Sequence, residues 1–148
     1  MAANPLISQG TLNRIRGSVV FPNFANLNVT APFLHKEGIS LALDGESTTY
    51  LPTMTGATTS PEPYMMITCT IGLLKTQSLS AQFKAQMELL STIGPFTVYP
   101  DVSAGLPTYS IQNGSISGVR EMKFNGEDNG WMVLLRGYYI INNALFGL

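Results

Sequence analysis

The chain has 148 residues, of which 45% are hydrophobic and only 11% are charged, and its formal net charge is −1. Intrinsic disorder needs the opposite balance, few apolar residues and a high net charge, so the composition excludes it. Typical soluble domains carry about 25% charged residues. So small a number of charges leaves little repulsion between copies, which favours self-association.

Length and residue distribution exclude further classes of protein. We expect one domain, residues 1–148, because a domain usually has about 100–200 residues. The lysines and arginines are scattered, which disfavours binding to nucleic acid through a phosphate-neutralising patch. No run of about 18 apolar residues predicts a membrane-spanning helix, and the first ten residues do not resemble a signal peptide. A single cysteine, Cys69, excludes an internal disulfide framework and a cysteine-based zinc site.

The first half of the chain reads as an arm, a strand, a loop and a second strand. Residues 1–17 are irregular and poor in apolar residues, which predicts an extended N-terminal arm. Residues 37–43 alternate with a period of two, as a half-buried strand does. Residues 44–63 are rich in Thr and Pro and predict a projecting loop. The clearest alternation runs over residues 64–74, where Met65, Ile67, Cys69, Ile71 and Leu73 share one face.

One helix is predicted, at about residues 78–91. It presents a single apolar stripe, formed by Leu79, Phe83, Met87 and Leu90. Lys84 and Glu88 are spaced for an ion pair on the outer face. The pair Gly94-Pro95 is expected to stop the helix.

The second half of the chain predicts more strands, at residues 96–99, 106–112, 116–124 and 131–141. Asn113-Gly114 indicates a tight hairpin turn, and residues 125–130 read as a longer hairpin loop. The last strand is apolar on both faces apart from Arg136 and Gly137, so both of its faces should be covered. The expected fold is mainly β (α+β), a β-sandwich or barrel with one packed helix.

The sequence offers little catalytic chemistry. A Cys or Ser nucleophile needs a base, which is nearly always a histidine, and the only one is His35, expected in a solvated loop. Cys69 lies on the predicted buried face, where a thiol behaves as a small apolar group. The acidic loop at residues 125–130 lacks the ligand spacing of a calcium site. We therefore expect no enzymatic activity, no cofactor and no metal.

Several stretches resemble the tail tube proteins of contractile-tailed bacteriophages. The resemblance covers essentially the whole chain but includes no motif tied to chemistry. The stretches that carry it are Asn4–Arg14, Gly38–Leu43, Pro52–Gly56, Met65–Leu74, Val119–Met122 and Arg136–Asn142.

The resemblance implies a structural virion protein rather than an enzyme. Six subunits would close their sheets into a ring, and rings would stack into a hollow tube through which the genome passes. The implied partners are further copies of the chain, a contractile sheath, and baseplate and tail-terminator proteins. DNA would pass without sequence-specific binding, and the particle would be assembled in the host bacterial cytoplasm. The inner tubes of type VI secretion systems and contractile bacteriocins belong to the same fold family.

Two sets of residues are candidates for assembly and for the lumen. Apolar side chains in the arm, the projecting loop and the C-terminal tail would be exposed to solvent in a monomer. These candidate interface residues are Leu6, Ile7, Leu12, Leu51, Met54, Leu145 and Phe146. A lumen that lets a polyanion slide needs polar or acidic side chains without fixed cationic contacts. The candidate lumen residues are Thr53, Thr55, Thr68, Thr70, Ser117 and Glu121.

Other interpretations stay open at this stage. The polar face could instead lie on the outer wall beneath the sheath, and Lys123 is the cation that could intrude on it. The chain could also be a baseplate, tail-terminator or secretion-apparatus component. A small-ligand β-barrel of lipocalin type needs a closed apolar cavity, which the polar strand face disfavours.

Overall fold

A computed structural model describes residues 16–75, 78–100, 105–127 and 130–147. The fold is mainly β with one main helix, which confirms the predicted class. The strands are β1 (Gly17–Val20), β2 (Leu34–Asp44), β3 (Thr48–Pro52), β4 (Ala57–Pro61), β5 (Tyr64–Leu74), β6 (Thr92–Pro100), β7 (Tyr109–Arg120) and β8 (Gly130–Ile140). The helices are α1 (Ser78–Leu89) and the short α2 (Asn143–Phe146), with 3-10 turns at Ala25–Leu27 and Ala31–Phe33.

Six strands form one antiparallel sheet in the order β1-β6-β7-β8-β5-β2, curled into a half-barrel. The curl brings the two edge strands close together. A Cβ atom added to Gly17 on β1 would lie 3.2 Å from Cδ1 of Ile39 on β2. The remaining strands, β3 and β4, pair only with each other and form a separate hairpin.

The alternation predicted for residues 64–74 is confirmed in β5. Ile67, Cys69, Ile71 and Leu73 are buried, whereas Thr68 and Thr70 lie on the other face. The buried face is the concave face of the sheet, because its residues belong to the same core as the edge strands and α1. The central strands β5 and β8 pair over their full length, from Tyr64↔Ile140 to Leu74↔Gly130.

The core fills the concave face and is closed by α1. Phe21 packs edge-on against Phe83 of α1, with ring centroids 6.0 Å apart, and lies 5.4 Å from the ring of Phe96. All three rings are essentially inaccessible to water. This filling of the curl by side chains disfavours the hollow interior that a small-ligand barrel needs.

The helix prediction is correct over most of its length and wrong at its end. Leu79 and Phe83 are buried, and Lys84 pairs with Glu88 at 2.6 Å, as expected. However, α1 ends at Leu89, and Leu90 is 53% exposed instead of completing the stripe. Gln86 is buried in its place, and its Nε2 donates a hydrogen bond to the carbonyl of Leu90, which satisfies a backbone acceptor just beyond the helix.

A predicted turn, Asn113-Gly114, and a predicted helix stop, Gly94-Pro95, both lie inside strands. Asn113-Gly114 does not make a hairpin, because β7 continues through it with a register shift between Gln112 and Ser115. Asn113 adopts the left-handed conformation with φ of 49°, which a bulge uses as readily as a turn does. Gly94-Pro95 likewise lies in β6, and Gly94 pairs with Gly114. A side chain at Gly114 would collide with the Phe96 ring, so this close approach requires glycine.

The segment predicted as a projecting loop contains the β3–β4 hairpin, whose base is fixed by the C-terminal segment. Asn142, left-handed with φ of 54°, donates from Nδ2 to the carbonyl of Glu62 at 2.6 Å and to that of Ser47 at 3.2 Å. The amide of Ile141 donates to the carbonyl of Pro63 at 3.0 Å. These bonds join the root of the hairpin to the end of β8. Of the predicted arm, residues 1–15 lie outside the described part of the chain, and Gly17 already belongs to β1.

Candidate assembly surfaces

The convex face of the sheet carries the polar side chains predicted to face a lumen. Thr68 and Thr70 lie there on β5, both half-buried. Thr68 donates from Oγ1 to Oδ2 of Asp44 on β2 at 2.7 Å. Arg136 on β8 is the register partner of Thr68 and approaches the same carboxylate oxygen at 3.4 Å. Three neighbouring strands are therefore linked by one polar cluster.

The cation of this polar cluster is Arg136, and the expected relation of Lys123 to the lumen stays a prediction. Arg136 lies beside Thr68, whereas Lys123 lies in the segment after β7, where its carbonyl accepts a hydrogen bond from Nζ of Lys75. Arg136 and Asp44 are about half exposed, so their pair stabilises the fold by only about 0.2–1 kcal/mol. Its more important effect is to match the positive charge locally. The alternation along β8 could have predicted that Arg136 lies on this face, because residues 132, 134, 136, 138 and 140 share it.

Ser117 and Glu121 occupy less regular positions. Ser117 is exposed between Ile116 and Gly118, where the register of β7 shifts. Glu121 follows the end of β7 and has a φ of 58°. Val119, between them, packs against the core. Strand phase alone therefore does not place Ser117 and Glu121 with Thr68, and their relation to a lumen stays a prediction.

Apolar side chains project at the end of the sheet where β5 begins and β8 finishes, which we call the hairpin end. Tyr50 and Leu51 are exposed on the hairpin, and Met54 at its tip is 102% exposed. Leu145 and Phe146 are also exposed; they belong to α2, which directly follows Asn142. Of the other candidate residues, Thr53 and Thr55 lie exposed at the tip, and Leu6, Ile7 and Leu12 lie outside the described residues.

An aromatic depression adjoins the polar cluster at the hairpin end. The rings of Tyr64 and Tyr138 meet edge-on with centroids 5.7 Å apart. With Pro63, Met66 and Ile140 they line a depression of about 490 Å³. Neither tyrosine is among the predicted surface residues, although both lie on the same alternating face as Thr68.

The opposite end of the sheet, where β5 finishes and β8 begins, carries an apolar cleft of about 380 Å³. Met122, Phe124 and Trp131 line it together with the first turns of α1, and Lys75 and Lys84 flank it. Phe124 is 94% exposed, and Nζ of Lys75 lies 5.9 Å from the centre of its ring. Nε1 of Trp131 is buried and has no hydrogen-bond partner among the described residues. We call this surface the α1 cleft.

The two side chains considered for catalysis, His35 and Cys69, both pack within the sheet. His35 lies in β2 rather than in a loop, its ring against the backbones of Gly72 and Gly130, and its Nδ1 accepts a hydrogen bond from the amide of Glu37 at 2.9 Å. Burial raises the pKa of Cys69 to about 12, so its thiol stays protonated and unreactive at neutral pH.

Among the described residues, no group of three or more His, Cys, Asp or Glu side chains is placed to hold a metal ion. Within that same part of the chain, no helix has the length and apolar character needed to cross a bilayer.

Comparison with known proteins gives a structural likeness but no match in sequence. No protein-family model matches the chain, and no curated protein matches it. Among solved structures, the chain is similar to the tube terminating cap of the anti-feeding prophage. The TM-score is 0.49 and the sequence identity is 14%, over 93% of this chain and 96% of that one.

Proposed function

We propose that the chain is a structural subunit of the hollow inner tube of a contractile tail or a related injection apparatus. Copies associate into six-membered rings, and the rings stack into a tube. In a phage, this tube is the path of the genome, a contractile sheath surrounds it, and baseplate and terminator proteins close its ends. The resemblance of the sequence to tail tube proteins supports this proposal.

The observation that carries the proposal is the apolar surface at the hairpin end. Tyr50, Leu51, Met54, Leu145 and Phe146 are all exposed in the single chain. Several large apolar side chains exposed at one end of a domain mark a site of protein association. With only 11% charged residues, the chain has little charge to oppose that association.

The convex face suits the wall of a channel for a polyanion. Its polar cluster offers Thr68 and Thr70, and Asp44 matches the charge of Arg136. A cation neutralised in this way makes a weaker salt-dependent attraction to phosphate than a free one. We therefore assign the convex face to the lumen and α1 to the outer wall.

Negative-stain electron microscopy of the purified full-length chain tests the proposal. Hollow tubes built of stacked rings are expected. Rings that do not stack would instead favour the terminator or baseplate interpretation. A monomer at all concentrations, seen by sedimentation velocity, would overturn the proposal.

A further inference from the structure

The two ends of the sheet differ in shape and in charge. The hairpin end projects, and the α1 cleft is a depression at the other end. The two ends are separated by the 11 residues of β5, roughly 33 Å at about 3.3 Å per residue. Because one chain carries both surfaces at opposite ends, a junction between them would be heterologous. Heterologous contacts that do not close on themselves build open, stacked assemblies.

We propose that the α1 cleft receives the hairpin tip of a second copy, with Met54 as the inserted side chain. This inference rests on the proposed function and deepens it, because it names the surface that receives the hairpin when rings stack. Met54 is the most exposed large apolar side chain of the described residues. A flexible thioether adapts well to an irregular apolar site, and burial in the cleft would remove both Met54 and Phe124 from water.

Charge and hydrogen bonding favour the same occupant. Two lysines, Lys75 and Lys84, line the α1 cleft, and among the described residues no acidic side chain is part of that lining. Lys84 also pairs with Glu88 on the outer face of α1. The segment that carries the docking tip, residues 45–63, contains no Lys or Arg, and its two acidic residues, Glu46 and Glu62, lie at the root of the hairpin, where they act on the approach of the two surfaces rather than inside the cleft. Complementary charges of this kind orient two surfaces and speed their encounter.

The tip of the hairpin also offers exposed hydroxyl groups. An unpaired buried N–H such as that of Trp131 is costly. The exposed hydroxyl groups of Thr53 and Thr55 flank Met54 and can accept a hydrogen bond. A second copy therefore supplies both an apolar side chain and acceptors to this site.

Two charge substitutions test the junction. Met54→Asp places a charge at the hairpin tip and leaves the cleft unchanged. Phe124→Asp places a charge in the cleft and leaves the hairpin unchanged. Both side chains are almost fully exposed in the single chain, so neither substitution should destabilise the fold of the subunit. Leu89→Asp is the matched control, because Leu89 is 84% exposed on α1 and is not part of the cleft lining.

Each variant alone should lose tubes and keep single rings in negative stain, and the Leu89→Asp control should form tubes. An equal mixture of the two variants, each assembled into rings beforehand, should form pairs of rings, because it restores one junction and leaves both outer ends blocked. Mixing therefore distinguishes the proposed junction from a stack of alternating hairpin–hairpin and cleft–cleft contacts, in which each variant alone would already form pairs of rings.

The outcomes separate this inference from the proposed function. Tubes formed by either variant alone, or a mixture without paired rings, would overturn the inference while the rings support the proposed function. If the wild type forms filaments of single copies that both substitutions stop, the inference holds and the ring proposal fails. If the wild type is monomeric and the mixture forms no dimers in sedimentation velocity, both fail.

Discussion

Replacing Phe83 tests how α1 closes the core. Phe83 is fully buried, and its ring meets Phe21 edge-on at 6.0 Å. Truncating a buried Phe to Ala costs about 3–5 kcal/mol, of which the aromatic pair accounts for about 0.5–1.5 kcal/mol. For a domain of this size, Phe83→Ala should therefore lower the melting temperature by about 10–15 °C.

The neighbouring substitution Lys84→Ala is the matched control. Lys84 is exposed and pairs with Glu88 at 2.6 Å on the outer face of α1. An exposed pair of this kind contributes about 0.3–0.5 kcal/mol, and the higher helix propensity of alanine offsets part of that loss. The melting temperature should change by less than about 2 °C.

The comparison requires a background that does not stack, because stacking would add its own stability. Met54→Asp provides that background. Urea unfolding can be followed by the fluorescence of Trp131, the only tryptophan, and the m-value should stay constant. Equal free-energy losses for the two variants would refute the packing of α1 described above.

Three further predictions concern the lumen, the arm and the cysteine. In assembled tubes, cysteines introduced at Thr68 and Thr70 should not be labelled by a maleimide too large to enter the bore, whereas Gln82→Cys on α1 should be labelled. Ready labelling at the two threonine positions would place the convex face on the outside of the tube. Deleting residues 1–12 should leave soluble monomers or rings, since the arm carries apolar side chains expected at subunit contacts; long tubes from the truncated chain would contradict this. Burial raises the pKa of Cys69 from 9.0 to about 12, so the native thiol should ignore a thiol reagent at pH 8 and react only after unfolding. Because the pKa is higher in the folded state, the free energy of unfolding should fall as the pH rises from about 9 towards 12, and a Cys69→Ala variant should lack that component.

The alternation of apolar and polar residues predicted the strands correctly where that pattern is unbroken, as in β5. The phase of β5 follows directly from the sequence, because a shift by one residue would expose Ile67, Cys69 and Ile71 together. Asn113-Gly114 was read as a turn because a left-handed residue followed by glycine suits both a turn and a bulge. Only the approach of the Phe96 ring to Gly114 decides between them, and that contact is tertiary.

The candidate surfaces were predictable to different degrees. Met54 and Leu51 stand in a polar, Pro-containing segment, so their exposure could be expected. The α1 cleft could not be expected, because it depends on where the segment after β7 lies relative to α1. Phe124 read as the end of a strand in the sequence, whereas β7 finishes at Arg120 and leaves Phe124 at the surface.

Asn142 gives the hairpin a mechanical property. Its side-chain amide holds the carbonyls of Ser47 and Glu62, one on each side of the hairpin root, and Ile141 is bonded to Pro63. The hairpin is therefore a cantilever clamped at its base by residues that continue directly from β8. A load applied at Met54 passes through this clamp into β5 and β8, the longest paired strands of the sheet. Pulling along a stack of subunits would thus strain the central ladder in shear, where many hydrogen bonds resist together.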